Sequence, residues 1–192
     1  MGPPTACYPR RNGGWILDFA RVFGRVAALL DEHGLCCAIV GGLSLHAYGR
    51  NRATFDLDIV TGGEAQPHLV AFLEGLGYET VHASPGYSNH SHPDPDWGDV
   101  DVVYVDTETL RRLLVESSRT LRLGDREVVV PRAEHLIAMK MQAIRNDPTR
   151  ELQDLADIQY LLGLPETNRG VARGYFEKAG MLDWYEKLIP RL

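Results

Sequence analysis

The sequence has few cysteines, no long apolar run and no excess of positive charge, and each shortage excludes a class of protein. Its three cysteines, of which Cys36 and Cys37 are neighbours, do not provide a disulfide framework. No apolar run approaches the ~18 residues that a membrane-spanning helix needs. The net charge of −6 argues against nucleic-acid binding by bulk charge, although a local basic patch is compatible with it. We therefore expect a reduced, cytoplasmic protein with no membrane association.

The chain of 192 residues is long enough for one domain with a helical appendage. Residues 1–14 are rich in proline, glycine and arginine and contain no apolar stretch, so we predict a flexible arm and not a secretory signal. Residues 15–130 mix strand and helix patterns and are predicted to form the core, and residues 131–192 are predicted to be helical. The expected fold class is α+β.

Apolar periodicity and breaker residues predict the order of the elements. Helices are predicted over 15–35, from near Leu43, over 65–76, over 107–117, from Pro131, over 150–162 and within 175–192. Strands are predicted over 36–40, through Asp56 and Asp58, over 78–83, over 98–105 and in a hairpin around Gly124. Residues 84–97 contain many breakers and are predicted to form a long loop, of the kind that often carries function.

One stretch of this order has unusual chemistry: Gly41 and Gly42 end an apolar run, and Asp56 and Asp58 lie within the next one. Side chains alternate along a strand that rises about 3.3 Å per residue, so the two carboxylates share one face roughly 6.6 Å apart. Such a pair costs roughly 3 kcal/mol at an effective dielectric near 20, and a divalent cation bound by oxygen removes that cost. Glycines let a phosphate approach the start of a helix. The pattern predicts a site for a metal–nucleotide complex.

The run Gly-Gly-x-Ser, a short helix, an arginine and then Asp-x-Asp resembles the first motif of the polymerase-β-type nucleotidyltransferase superfamily. Within it, residues 37–162 most resemble the AbiEii/MenT-like nucleotidyltransferase toxins of bacterial toxin–antitoxin systems. The resemblance implies a nucleotidyltransferase fold with a mixed sheet flanked by helices and a C-terminal helical bundle that completes the active-site cleft. It implies that Gly41, Gly42 and Ser44 hold phosphates and that Arg52 adds positive charge, with a surface role for Arg52 as the alternative.

Such transferases use a third carboxylate from a neighbouring strand. The resemblance assigns this role to Asp101, which is followed by two apolar residues, and leaves Asp99 as the alternative. Mg²⁺ would be held by Asp56, Asp58 and Asp101. A transition-metal site at His90, His92, Asp94 and Asp96 is a weaker interpretation, because proline-rich chain surrounds these residues and no second ligand cluster accompanies them.

Two later helices supply further candidate residues. Lys140 falls on the apolar stripe of its helix, where a lysine must extend to solvent or meet an anion, and a triphosphate is the natural anion here. The resemblance also implies a lysine in this helix, in a run like residues 135–140. Helical geometry places Asp154 and Asp157 on a solvated face opposite Leu152. The resemblance instead implies that Asp154 is a catalytic partner, although Gln153 replaces a lysine of the family pattern.

The implied activity is Mg²⁺-dependent transfer of a nucleoside monophosphate from a nucleoside triphosphate to the 3′ end of tRNA, which would block aminoacylation and translation. A cognate antitoxin would neutralise the toxin, and one hypothesis is that it phosphorylates Thr54. Thr54 lies two residues before Asp56 and is therefore predicted to share its strand face. A phosphate there would add about −1.5 to −2 charge beside the metal site, whereas the alternative is a threonine that simply favours a strand. The alternative functions are a small-molecule transferase of the antibiotic-modifying kind and a catalytically silent binding module.

Overall fold

The computed structural model describes residues 19–116 and 119–189, and it confirms the α+β class and the mixed sheet flanked by helices. Five strands form the main sheet in the order β1-β2-β5-β4-β3, and a two-stranded hairpin, β6-β7, forms a second sheet. Their bounds are β1 Cys37–Ile39, β2 Asp56–Gly62, β3 Glu79–Ser84, β4 Tyr87–Ser91, β5 Asp99–Val105, β6 Arg119–Leu123 and β7 Arg126–Val130. The 1–14 arm and the first four residues of the 15–35 helix lie outside the described residues.

The centre of the main sheet is the parallel pair β2 and β5, whereas the other neighbouring strands run antiparallel. A parallel pair needs a crossover connection, and the chain between these strands supplies a helix and a hairpin for it. Alternate residues of the pair point into the core, where Leu57, Ile59, Val100 and Val102 are fully buried. The residues between them, Asp58 and Asp101, therefore project from the opposite face at the same level.

Eight α-helices occur in the described part of the chain. Their bounds are α1 Phe19–Glu32, α2 Gly41–Ser44, α3 Gln66–Gly75, α4 Thr107–Val115, α5 Ala133–Asn146, α6 Glu151–Gly163, α7 Arg169–Lys178 and α8 Leu182–Leu188. Helices α1, α3 and α4 pack beside the strands. Helix α5 packs against α6 and α7 to form the C-terminal helical bundle. None of these helices combines the length and the apolar character that crossing a bilayer requires.

The structure corrects the predicted loop over 84–97. Its first part is β4, whose antiparallel pairing with both β3 and β5 makes it an interior strand of the sheet. The sequence Tyr-Ser-Asn-His-Ser gives no apolar alternation, so the strand could not be found from periodicity. Ser88 and His90 nevertheless face the interior, where they satisfy each other through a 2.8 Å hydrogen bond.

The structure also reverses the predicted orientation of α6. Asp154 and Asp157 are 1% and 0% exposed, whereas Leu152, which the pattern placed on the packed side, is 84% exposed. The helix buries Ile158, Leu161 and Leu162 on the same side as the two aspartates. An apolar stripe alone therefore gave the wrong face, because it takes no account of cations that make carboxylate burial favourable.

Candidate active site

Carboxylates from β2 and β5 meet at one end of the parallel pair. Asp58 lies opposite Asp101, and Asp56 lies opposite Asp99, in a register without a bulge. Neighbouring strands lie about 4.8 Å apart, so the facing side chains are close neighbours. Asp101 is 9% exposed, and Asp56 and Asp58 are partly buried. The structure therefore brings together the three carboxylates that the sequence assigned to one site, with Asp99 next to Asp56.

This cluster carries more negative charge than its surroundings neutralise. Burial, followed by the nearby charges of Asp101 and Asp56, raises the pKa of Asp58 to about 7. Burial and the charges of Asp101 and Asp99 raise the pKa of Asp56 in the same way. The guanidinium of Arg150 opposes both shifts without cancelling them. The arrangement is suited to a cation.

The glycine turn fits tightly around Asp58. Gly41 has a φ of 60°, and a Cβ placed on it would lie 1.9 Å from Asp58 Oδ2. The backbone N–H of Gly42 donates a hydrogen bond to the Asp58 carboxylate. Ser44 is fully buried and donates its hydroxyl to the carbonyl of Gly41 at 2.8 Å. Ser44 therefore holds the turn in this structure, and a contact between these residues and a phosphate stays a prediction.

Arg52 and Thr54 cover the second glycine. A Cβ on Gly42 would lie 2.7 Å from Thr54 Oγ1 and 2.9 Å from a terminal nitrogen of Arg52. Arg52 thus lies beside the turn, and its Nε lies 3.3 Å from Asp157 Oδ2. Its contact with a nucleotide stays a prediction. Thr54 precedes β2, which begins at Asp56, so it lies in the connecting segment and not on the strand as we had expected.

Lys140 meets two buried aspartates. Its Nζ donates to Asp154 Oδ1 at 2.9 Å and to Asp157 Oδ2 at 2.8 Å, and the lysine is 5% exposed. The anion that accompanies Lys140 is therefore supplied by α6, where the sequence suggested a triphosphate. Asp157 also approaches Arg50 and Arg52, so this buried network links α5, α6 and the segment before β2.

Tyr87 and Asn89 of β4 belong to the site and were missed in the sequence. The side-chain amide of Asn89 donates to Asp101 Oδ1 at 2.5 Å. The Tyr87 hydroxyl also hydrogen-bonds to Asp101, and burial together with this negative neighbour raises the pKa of the phenol. Both residues project from the same face of β4 because they are two positions apart. Recognition of β4 as a strand would have revealed them.

A cavity of about 780 Å³ opens beside the carboxylates, a size typical of small-molecule sites. Asp58 and Asp101 line its sheet side, and Lys140, Arg150 and Asp154 line its helical side. Between them, α5 contributes the apolar wall of Leu136, Met139 and Ala143. Arg150 is a further residue that the sequence did not reveal, since it directly precedes α6 and has no motif around it.

The acidic residues of the site can be compared with the ligands that a metal ion needs. Within 19–116 and 119–189, no three histidine, cysteine, aspartate or glutamate side chains converge as a metal cage, and this includes the His90 and His92 region. Mg²⁺, however, binds proteins through one or two carboxylates together with substrate phosphates and water. Asp58, whose pKa is raised first by burial and then by the charges of Asp101 and Asp56, offers oxygen donors that fit that mode of binding. Asp56, Asp58 and Asp101 remain the proposed ligands.

Several solved structures are similar to this chain. No family model and no curated protein matches it. Among solved structures, the antibiotic-resistance factor ANT(2'')-Ia in complex with adenylyl-2''-tobramycin is 17% identical, with 83% of this chain and 97% of that chain covered and a TM-score of 0.61. Its solution structure is 19% identical over 88% of both chains, with a TM-score of 0.52.

A third similar structure is the lincosamide antibiotic adenylyltransferase LnuA in its lincomycin-bound form. It is 16% identical, with 74% of this chain and 96% of that chain covered and a TM-score of 0.52. At these identities the likeness establishes the fold, which is the nucleotidyltransferase fold that the motif predicted.

Proposed function

We propose that this chain, which has the nucleotidyltransferase fold, transfers a nucleoside monophosphate from a nucleoside triphosphate to a hydroxyl group and releases pyrophosphate. The observation that carries the proposal is the juxtaposition of Asp56, Asp58 and Asp101 on paired strands beside the Gly41 turn. The burial and like charge of this cluster, and a neighbouring cavity large enough for a nucleotide, support it.

Each group has a task in this reaction. Asp56, Asp58 and Asp101 would hold Mg²⁺, and the bound ion would neutralise phosphate charge and lower the pKa of the acceptor hydroxyl. Asn89 and Tyr87 orient Asp101 through their hydrogen bonds. Arg52, next to Gly42, offsets charge that develops on the phosphates in the transition state.

Asp154 is the proposed acceptor of the hydroxyl proton. It lines the cavity, and its Oδ1 is held by Lys140. Its Oδ2 is buried without a hydrogen-bond donor among the described residues, at 3.4 Å from Arg150 Nε. Lys140 fixes the carboxylate in place and balances its charge, so Oδ2 is the oxygen left to accept the proton.

The 3′ end of tRNA is the acceptor that the AbiEii/MenT-like resemblance supports, and the chain would then act as a toxin neutralised by a cognate antitoxin. Phosphorylation of Thr54 would inhibit the chain sterically. Thr54 Oγ1 lies close over Gly42 and beside Arg52. A phosphate on it would occupy the approach to the turn and pair with the arginine that is proposed to meet the nucleotide.

A small hydroxylated molecule is the second candidate acceptor. The cavity of about 780 Å³ favours it, because a pocket of this size is better suited to a small molecule than to an RNA surface. The two similar enzymes reported above are described with an antibiotic or its adenylyl derivative bound. The net charge of −6 also provides no general attraction for RNA.

The test incubates the purified protein and Mg²⁺ with each labelled nucleoside triphosphate, together with bulk tRNA or a panel of aminoglycosides and lincosamides. Asp56→Ala and Asp58→Ala are the inactive controls. Label on RNA that depends on the aspartates supports the toxin activity, and label on a small molecule supports the second candidate. If no acceptor is labelled, or if both control variants transfer label as well as wild type does, catalysis by this site is rejected and a silent binding module is favoured.

Regulation at Thr54 has a separate test. The protein is expressed with and without the product of a neighbouring gene and is examined by intact mass spectrometry. A gain of one phosphate on Thr54 with loss of transfer supports control by modification. An inhibited but unmodified protein would instead support inhibition by binding.

A further inference from the structure

The two cationic side chains on the helical side of the cavity differ in how firmly the protein holds them. Among the described residues that line the cavity, Lys140 and Arg150 are the lysine and arginine side chains. Lys140 is almost fully buried and makes two short hydrogen bonds to Asp154 and Asp157. Moving it toward a ligand would leave two buried carboxylates without their partner, which is costly. Lys140 is therefore committed to the protein.

Arg150 is not committed in the same way. Its side chain is 39% exposed, and its Nε lies 3.4 Å from Asp154 Oδ2. One guanidinium edge is thus directed at α6, and the group has five N–H donors in total. The remaining edge belongs to a side chain that lines the cavity together with Asp58 and Asp101. Arg150 and the sheet carboxylates therefore face the same cavity.

The position matches the needs of a bound triphosphate. The carboxylates Asp58, Asp101, Asp147 and Asp154 outnumber the two cations around the cavity. A nucleotide that enters with its metal brings positive charge to the sheet side, and its phosphate oxygens then need donors on the helical side. An arginine fork satisfies two such oxygens at once, which a committed lysine does not.

We propose that Arg150 binds the triphosphate of the substrate nucleotide directly, with Asp154 holding its guanidinium in position. The proposal rests on the proposed function and assigns the anion subsite within it. Arg150 is then a residue that recognises the phosphates of any nucleoside triphosphate, and its contribution does not depend on the base.

The first measurement uses equilibrium binding of inorganic tripolyphosphate with Mg²⁺ by isothermal titration calorimetry, so no transfer reaction is needed. Loss of charge-assisted hydrogen bonds in Arg150→Gln should weaken binding about 10- to 100-fold. Arg150→Lys should recover part of the affinity because it keeps the charge without the fork. Arg145→Gln is the control, since Arg145 is exposed near the end of α5 and does not line the cavity.

The second measurement is steady-state transfer. The KM for the nucleoside triphosphate should rise about 10-fold or more in Arg150→Gln, while the KM for the acceptor stays unchanged. Equal tripolyphosphate affinity in wild type and Arg150→Gln would overturn the proposal, as would absence of tripolyphosphate binding by wild type. Binding that depends on Arg150 without transfer to any acceptor would instead reject the proposed catalysis and leave the anion subsite intact.

Discussion

Gly41 shows how a single residue shapes the site. Its positive φ disfavours any side chain, and its missing Cβ leaves room for the Asp58 carboxylate. Gly41 therefore adopts the backbone conformation of the turn and also allows Asp58, a proposed metal ligand, to lie against it.

We predict that Gly41→Ala destabilises the protein by about 2–4 kcal/mol and abolishes transfer, because the Cβ displaces Asp58. Gly34→Ala is the matched control, since Gly34 has a similar φ of 66° but no atom within 4 Å of its Cβ position. Urea denaturation should show about 1 kcal/mol of loss for this control, with activity retained. Equal losses in the two variants would mean that backbone strain, and not the Asp58 contact, explains the glycine.

Asp58 illustrates a conflict between stability and activity. In the absence of metal, Asp58→Asn should raise the unfolding free energy at pH 8 by about 1–2 kcal/mol while transfer is lost, since it removes a buried charge next to like charges. The folded pKa of about 7 lies above the ordinary 3.8, so the folded state holds the additional proton between these values. In EDTA, the contribution of Asp58 to wild-type stability should consequently fall as the pH rises from about 4 to 7.

Thermal unfolding in EDTA across this pH range checks the prediction. The slope should be smaller in Asp58→Asn than in wild type, with Asp183→Asn, an exposed residue of α8, as the control. If the stability of wild type relative to Asp58→Asn rose with pH over the same interval, the prediction would be contradicted.

At the scale of elements, a buried ionic network joins α5, α6 and the segment before β2. Asp157 is its centre, since its two oxygens lie 2.8 to 3.4 Å from nitrogens of Lys140, Arg50 and Arg52. Breaking a buried ion pair by removing one partner leaves uncompensated charge in the interior.

Asp157→Ala should therefore lower the unfolding free energy by about 3–5 kcal/mol. Asp183→Ala, at an exposed position, should change it by less than about 0.5 kcal/mol. Chemical denaturation with matched m-values measures both variants. Wild-type stability in Asp157→Ala would show that solvent compensates the cations and that the network does not hold these elements together.

Local features of this site were predictable from sequence, and features that depend on packing were not. Asp56, Asp58 and the glycines follow from strand alternation and turn chemistry, which act over a few residues. The polar composition of β4 concealed Tyr87 and Asn89, because the strand is stabilised by pairing on both edges and not by an apolar face. The burial of Asp154 depends on Lys140, which lies on another helix, so no pattern within α6 could reveal it.

At the scale of the whole molecule, the cavity has one wall from the sheet and one from the helices. A ligand that binds both walls stabilises the folded chain by mass action. We predict that Mg²⁺ and a nucleoside triphosphate together raise the unfolding temperature by several degrees at saturating concentration, and that either one alone has a smaller effect.

Differential scanning fluorimetry with Mg²⁺, nucleotide and both together makes this comparison. Asp58→Asn should lose the combined increase, because it removes negative charge from the proposed metal ligands. Additive single effects that equal the combined one would argue against a shared metal–nucleotide site.

The two walls of the cavity are also synthesised at different times, because they come from different parts of the sequence. Val40 and Gly41 come from the first strand and turn, whereas Lys140, Arg150 and Asp154 come from α5 and from the residues up to and within α6. A nascent chain that emerges from the ribosome therefore has its acidic cluster long before it has the cations that face it. Interrupted synthesis before α6 would yield a fragment that lacks Asp154, and we expect such a fragment to be inactive in the proposed transfer.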